Sequence, residues 1–289
     1  GIKCENYRIN SIALNGLLSP YCSLGPLPSQ IFALPELEEL SLDGLGLTGS
    51  LPADLRNNKI QTLSLNKNLL SGSIPLIGPE LTSLVLSNNN FTGTISASTF
   101  ESSKLSIIDI TNNTLSGDLS GFRSFKVFPN HFNFTSNYFT GSLDVLDFAT
   151  MSQCPCVFSL VDNLLTGTIP KELMSISFQN IYLDRNRLTG TIPFEAMSSN
   201  SPLPTLSLTN NSLTGTIQLQ AYWPYYVYLD NNKLEGSLPD PSFPWSVELG
   251  ASQLIHFTIR NNNISGTFPA SFENNTHVQI LRLDDNPLL

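Results

Sequence analysis

Residues 163–170 read NLLTGTIP. Close variants return as NLLSGSIP at 68–75, NRLTGTIP at 186–193 and NSLTGTIQ at 211–218. Apolar residues also alternate just upstream of each. Segments 60–75, 81–96, 105–120, 178–193, 203–218 and 254–269 all fit L-x-x-L-x-L-x-x-N-x-L-x-G-x-I-P. Looser copies lie at 37–52, 129–143, 155–170 and 224–239. A degenerate first copy starts at Ile9, and the last breaks off at Leu289.

The second apolar residue of each L-x-L pair marks the period: Leu14, Leu42, Leu65, Leu86, Ile110, Phe134, Leu160, Leu183, Leu208, Leu229, Ile259 and Leu283. The marks are 21 to 30 residues apart. That period is the signature of a leucine-rich-repeat solenoid. In L-x-L, alternation sends both Leu inward and the x outward. One coil cannot bury its apolar face alone, so the coils must stack. The expected fold is an α/β solenoid: a leucine-rich-repeat horseshoe with a parallel β-sheet on the concave face and short 3-10 or irregular convex segments. A single domain over 1–289 would hold 11–12 repeats. Residues 1–36 form an irregular first repeat with part of an N-terminal cap, and 278–289 a truncated last one.

Each template position has a task. The Asn (Asn68, Asn89, Asn113, Asn137, Asn163, Asn186, Asn211, Asn232, Asn262 and Asn286) can donate and accept, so it can satisfy buried backbone groups of adjacent coils. The Gly permits backbone angles or approaches that a Cβ forbids. The Pro prevents a helix from starting.

The bulk numbers narrow the function. Of 289 residues 40% are hydrophobic and 13% charged, enough for a sizeable core. A net charge of −9 repels nucleic acid. No stretch nears 18 uncharged apolar residues, so no membrane span is expected in this segment. Gly1 is not followed by a basic-then-apolar leader, so any signal peptide would already be gone. Asn-x-Ser/Thr triplets at Asn90, Asn112, Asn133, Asn210, Asn263 and Asn274 point to a secreted, N-glycosylated chain. Four of them neighbour the inward Asn without being it. Asn133 is an outward strand residue, and Asn274 lies in a loop.

L-x-G-x-I-P after the Asn resembles the plant-type extracellular leucine-rich repeat of receptor-like kinases, receptor-like proteins and polygalacturonase-inhibiting proteins. The resemblance covers essentially the whole chain and is carried by structural positions, so it specifies fold far better than function. Gly1, Ile2 and Cys4 resemble the end of that family's N-terminal cap, whose Trp and first Cys would lie upstream. Cys4 either lost that partner or pairs with Cys22. The chain stops at LDDNPLL without the capping Cys pair, so more chain or another molecule, including a second copy, would cover this end. Cys154-Pro155-Cys156 has no companion Cys or His cluster. A local disulfide or bridges elsewhere explain it better than a metal.

Nothing in the sequence makes an enzyme. His131, His256 and His277 sit in no nucleophile–base spacing, and the glycines follow the repeat rather than a phosphate loop. No cofactor or metal is expected. Recognition therefore falls to outward residues that vary between coils. Most are small and polar. The exception is the C-terminal half, where Tyr182, Asp184, Tyr226, Tyr228, Asp230, His256 and Arg260 share adjacent columns beside the aromatic run YWPYYVYLD at 222–230. Trp223 and some of these Tyr could instead pack in the solenoid. Tyr rings stack on sugars and peptides while Asp and Arg fix polar groups. The expected function is non-enzymatic extracellular recognition of a protein, peptide or glycan through the concave face. The alternative is a structural block of a matrix, wall or fibre, built by end-to-end stacking. Ice binding by the Ser/Thr rows ranks last, because Asp, Tyr and Arg interrupt them.

Overall fold

The structure, a computed structural model, describes residues 2–5, 8–16, 24–101, 104–125, 128–148, 156–176, 179–197, 203–218, 224–238, 254–269, 278–287 and 289. Contacts divide the chain into two units, Gly1–Thr140 and Gly141–Leu289.

In the first unit the L-x-L segments form short strands at Arg8–Ala13, Glu39–Ser41, Thr62–Ser64, Ser83–Val85, Ile107–Asp109 and His131–Asn133. Each pairs in parallel, in register, with the next coil's strand. The strand Ile2–Glu5 runs antiparallel to Arg8–Ala13 and covers the first edge. The second unit repeats the scheme at Val157–Ser159, Asn180–Tyr182, Thr205–Ser207, Tyr226–Tyr228, His256–Thr258 and Ile280–Arg282.

The alternation holds where the template is intact. Leu63, Leu65, Leu84, Leu86, Leu206, Leu208, Val227 and Leu229 are all fully buried, and burying each such side chain contributes about 1.5–3 kcal/mol. In the first unit Phe100, Phe122, Phe125, Phe128, Phe132, Phe134 and Phe139 fill the core between coils, with Phe132 and Phe134 stacked at 3.9 Å. Leu14 departs from the expectation. It holds the inward position opposite Leu42 but is 45% exposed. It lies in the first parallel coil, with a parallel neighbour on one side only.

The Asn positions form the ladder that the template requires. Asn186 donates from Nδ2 to the carbonyls of Leu160 (2.8 Å), Leu183 (3.1 Å) and Asp184 (3.2 Å), and its Oδ1 accepts from Leu165 N–H at 3.1 Å. Asn89, Asn113, Asn137, Asn232, Asn262 and Asn286 repeat this pattern. The carboxamide thus pairs backbone groups that leave the sheet where the coil turns.

Two features were not read from the sequence. The residue before each ladder Asn has positive φ: Lys67, Asn88, Asn112, Ser136, Asp162, Arg185, Asn210, Asn231, Asn261 and Asp285 lie between 50° and 59°. Asn and Asp tolerate that conformation best. The second is a further parallel β-sheet in each unit, where short irregular segments were expected. The phrase after the Asn is itself extended. It forms parallel strands at Leu47–Ser50, Leu69–Gly72, Asn90–Thr94 and Thr114–Gly117 in the first unit, and at Thr189–Gly190, Ser212–Thr216, Lys233–Ser237 and Asn263–Ser265 in the second. Short 3-10 turns such as Leu119–Ser124 and Phe194–Ala196 follow some of these strands, and an α-turn lies at Lys171–Met174.

Candidate functional site

The outward residues of the main sheet in the second unit fall into three columns fixed by strand register. One runs Asn180, Thr205, Tyr226, His256, Ile280, and the next Tyr182, Ser207, Tyr228, Thr258, Arg282. Asp184, Thr209, Asp230, Arg260 and Asp284 follow two residues further along each coil. Adjacent strands are about 4.8 Å apart, so Tyr182 and Tyr228 flank Ser207 at roughly 10 Å.

Tyr226, Tyr228 and His256 form a contiguous aromatic group. The His256 ring meets the Tyr226 ring edge-on at 5.0 Å and 89°. Its Nδ1 lies 3.4 Å from the Tyr228 hydroxyl. All three are half-buried. Burial, with smaller contributions from the Tyr226 and Tyr182 phenols, pushes the Tyr228 hydroxyl above the ordinary tyrosine range.

The carboxylates of this face are occupied within it. Asp184 Oδ1 accepts from Ser207 Oγ and from Thr209 N–H (2.8 Å) of the following coil. Burial raises the Asp184 pKa, and these hydrogen bonds counter it only in part. Asp230 Oδ1 accepts from Arg260 N–H at 2.7 Å, and Arg260 Nε pairs with Asp284 Oδ2 at 3.0 Å. The first unit has the same device: Asp43 accepts from Ser64 Oγ (2.8 Å) and Asn66 N–H (2.7 Å). An Asp here therefore ties one coil to the next. The three aromatic residues, with Tyr182, are left to face outward. Thr258, in the Tyr182 column, was not singled out from the sequence. It is 4% exposed, and its hydroxyl has no partner among the described residues.

Asn90, Asn112, Asn210 and Asn263 are exposed and Asn133 is half-buried, while Asn274 lies outside the described residues. Cys156 is buried and disulfide-bonded. Cys22, Cys154, Trp223, His277 and the Cys4 side chain lie outside the described residues. Among those described, no three His, Cys, Asp or Glu side chains form a metal-holding group, and no helix is long and apolar enough to cross a membrane.

Comparison with known proteins agrees with the repeat. The family model described as Leucine Rich Repeat matches residues 80–101 and 253–275. Receptor-like protein 54 of Arabidopsis thaliana is 32% identical over 97 residues, 33% of this chain and 12% of that protein. The Brassinosteroid LRR receptor kinase of Solanum lycopersicum is 30% identical over 175 residues, 53% of this chain and 14% of that protein. The chain thus spans a small part of the length of these relatives. Among solved structures, the Arabidopsis receptor kinase HAESA in complex with the peptide hormone IDA and the co-receptor SERK1 superposes with a TM-score of 0.74 at 26% identity, over 95% of this chain and 45% of that one. With its ladder asparagines and its two kinds of parallel strand per coil, the chain is a leucine-rich-repeat solenoid similar to those of plant receptor-like proteins and receptor kinases.

Proposed function

We propose that the chain is a non-enzymatic recognition module, displayed outside the cell, that binds a peptide, protein or glycan through the concave face of its second unit. The observation that carries this reading is the aromatic group Tyr226, Tyr228 and His256, with Tyr182 two coils from Tyr228, on a sheet face otherwise lined mostly by small polar residues. Tyr is enriched at binding hot spots because it offers a large, stiff contact area and a polar end. The HAESA structure holds a peptide hormone on a related solenoid, which supports a peptide as the first ligand class to try. Asp184, Asp230 and Arg260 then act mainly by keeping the strands in register beneath the tyrosines.

The test is to immobilise the glycosylated chain and screen short synthetic peptides and wall oligosaccharides by surface plasmon resonance. The double variant Tyr182→Ala, Tyr228→Ala should weaken any hit by about tenfold or more, since hot-spot truncations cost at least about 2 kcal/mol. Its circular dichroism and thermal midpoint should match wild type. A hit bound equally well by the double variant would sink this reading.

A further inference from the structure

Among its described residues the proposed face carries one imidazole, His256, and it touches two of the three tyrosines. We propose that His256 is the positioning residue that sets, by its own protonation, whether Tyr228 offers a ligand a hydrogen-bond acceptor or a donor. This rests on the reading of the tyrosine face as the binding surface.

The geometry supplies the switch. His256 stands directly opposite Tyr226 in the parallel register, and its Nδ1 reaches diagonally to the Tyr228 hydroxyl at 3.4 Å. With a neutral imidazole carrying its hydrogen on Nε2, the Tyr228 O–H donates to Nδ1, and its oxygen lone pairs are left for a ligand donor. When a proton from solvent binds Nδ1, that nitrogen becomes a donor. The Tyr228 oxygen must then accept, and its hydrogen turns away from the ring toward the open face. One proton is taken up and no covalent bond changes. The outward character of Tyr228 inverts from acceptor to donor. Tyr228 itself stays protonated throughout, because burial and the Tyr226 and Tyr182 phenols oppose its ionisation.

The surrounding charges are mixed. They are Asp230 on the preceding coil, Asp284 on the following one, Arg260 on the same coil and Arg282 opposite Thr258. Directly opposite His256 on the following coil is the uncharged Ile280. The first unit's outward His131 lacks this arrangement, since the residue opposite it is Ile107.

The experiment uses the full chain without any ligand, so its outcome is independent of whether a binding partner is found. Ring-labelled His and Tyr are followed by NMR from acid to neutral pH in wild type, His256→Gln and His131→Gln. In wild type, neutral His256 should show the Nε2–H tautomer, and the Tyr226 and Tyr228 ring signals should move with the His256 midpoint. His256→Gln should hold the tyrosine signals still over the same range, and His131→Gln should leave them moving as in wild type. An Nδ1–H tautomer at neutral pH, or tyrosine signals that ignore the His256 titration, would overturn the proposal. If these signals move together but no peptide or oligosaccharide binds, the recognition reading fails alone.

Discussion

The Cγ2 methyl of Thr191 occupies the space above Gly215: a Cβ built on Gly215 would stand 2.7 Å from it. The same interlock recurs between Thr94 and Gly117, Thr168 and Gly190, and Thr216 and Gly236, each at 2.8 Å. The repeated T-G-T is therefore a two-coil device. The Thr after one Gly packs against the Gly of the next coil, and that Gly has a positive φ, +82° at Gly215. Gly215→Ala should destabilise the second unit through both backbone strain and overpacking, by about 2–4 kcal/mol together. Thr191→Ser removes the offending methyl. In the double variant the overpacking share should be recovered and the backbone share retained. A double-mutant cycle on thermal or denaturant midpoints separates the two. Strict additivity would show that the methyl is not the obstacle.

The Asn ladder gives a graded prediction. Asn186→Ala strands the Leu160, Leu183 and Asp184 carbonyls and the Leu165 N–H. Buried groups left without partners cost about 1–3 kcal/mol each where water cannot reach them. The loss should thus rank with the most damaging single changes in the chain. Asn211 makes equivalent bonds to Leu183, Leu208 and Thr209 but is only half-buried, so Asn211→Ala should cost less. Hydrogen exchange should show the Leu165 amide opening in the first variant and the Leu188 amide in the second.

Most of the frame was legible because it is local. Inward Leu, ladder Asn and the three outward columns follow from residue spacing alone, and the register places Tyr182, Ser207 and Tyr228 in one column as expected. What spacing did not reveal depends on the next coil. The strands of the second sheet pair with a two-residue offset, Thr216 opposite Glu235 and Thr94 opposite Ser116, so no column of like residues marks them. The positive-φ site is advertised by Asn or Asp in seven coils, but Lys67, Ser136 and Arg185 blur it. Asp184 looked like a ligand anchor because its partners, Ser207 and Thr209, come more than twenty residues later.

The sequons predict an ordered pattern of glycan occupancy. Asn90 and Asn263 are exposed where second-sheet strands begin. Asn112 and Asn210 are exposed at positive φ, and Asn112 donates to Asn88 Oδ1 at 3.0 Å. An amide carrying a sugar keeps one N–H, so that bond can survive. Asn133 is half-buried on a main-sheet strand, and its Oδ1 accepts from Thr135 N–H at 3.3 Å. Peptide mapping of protein from a secretory host, after enzymatic deglycosylation in water enriched in heavy oxygen, should find Asn90 and Asn263 fully modified and Asn133 least. Full occupancy at Asn133 would contradict the ranking and place a glycan on the main-sheet face of the first unit.

Asp184 makes stability depend on pH in a sense opposite to that of most surface carboxylates. Burial raises its folded pKa above the usual 3.8, with the Ser207 and Thr209 hydrogen bonds compensating only in part. Folding therefore favours the protonated form. Its contribution to stability is fully present below the unfolded pKa and is lost as pH rises through the higher folded value. Asp54 is the counterexample on the surface: the side chain and backbone of Arg56 bring it down to about 2. In Asp184→Asn the amide oxygen can still accept from Ser207 and Thr209, but no charge has to be buried. The variant should be more stable than wild type at neutral pH, and the two midpoints should converge below about pH 4, where both side chains are uncharged. Asp43 makes the same bonds from the equivalent position in the first unit, so Asp43→Asn serves as the matched control for loss of charge alone. If Asp184→Asn is less stable than wild type at neutral pH, the ionised carboxylate's hydrogen bonds outweigh its desolvation, and Asp184 holds the second unit together as an anion.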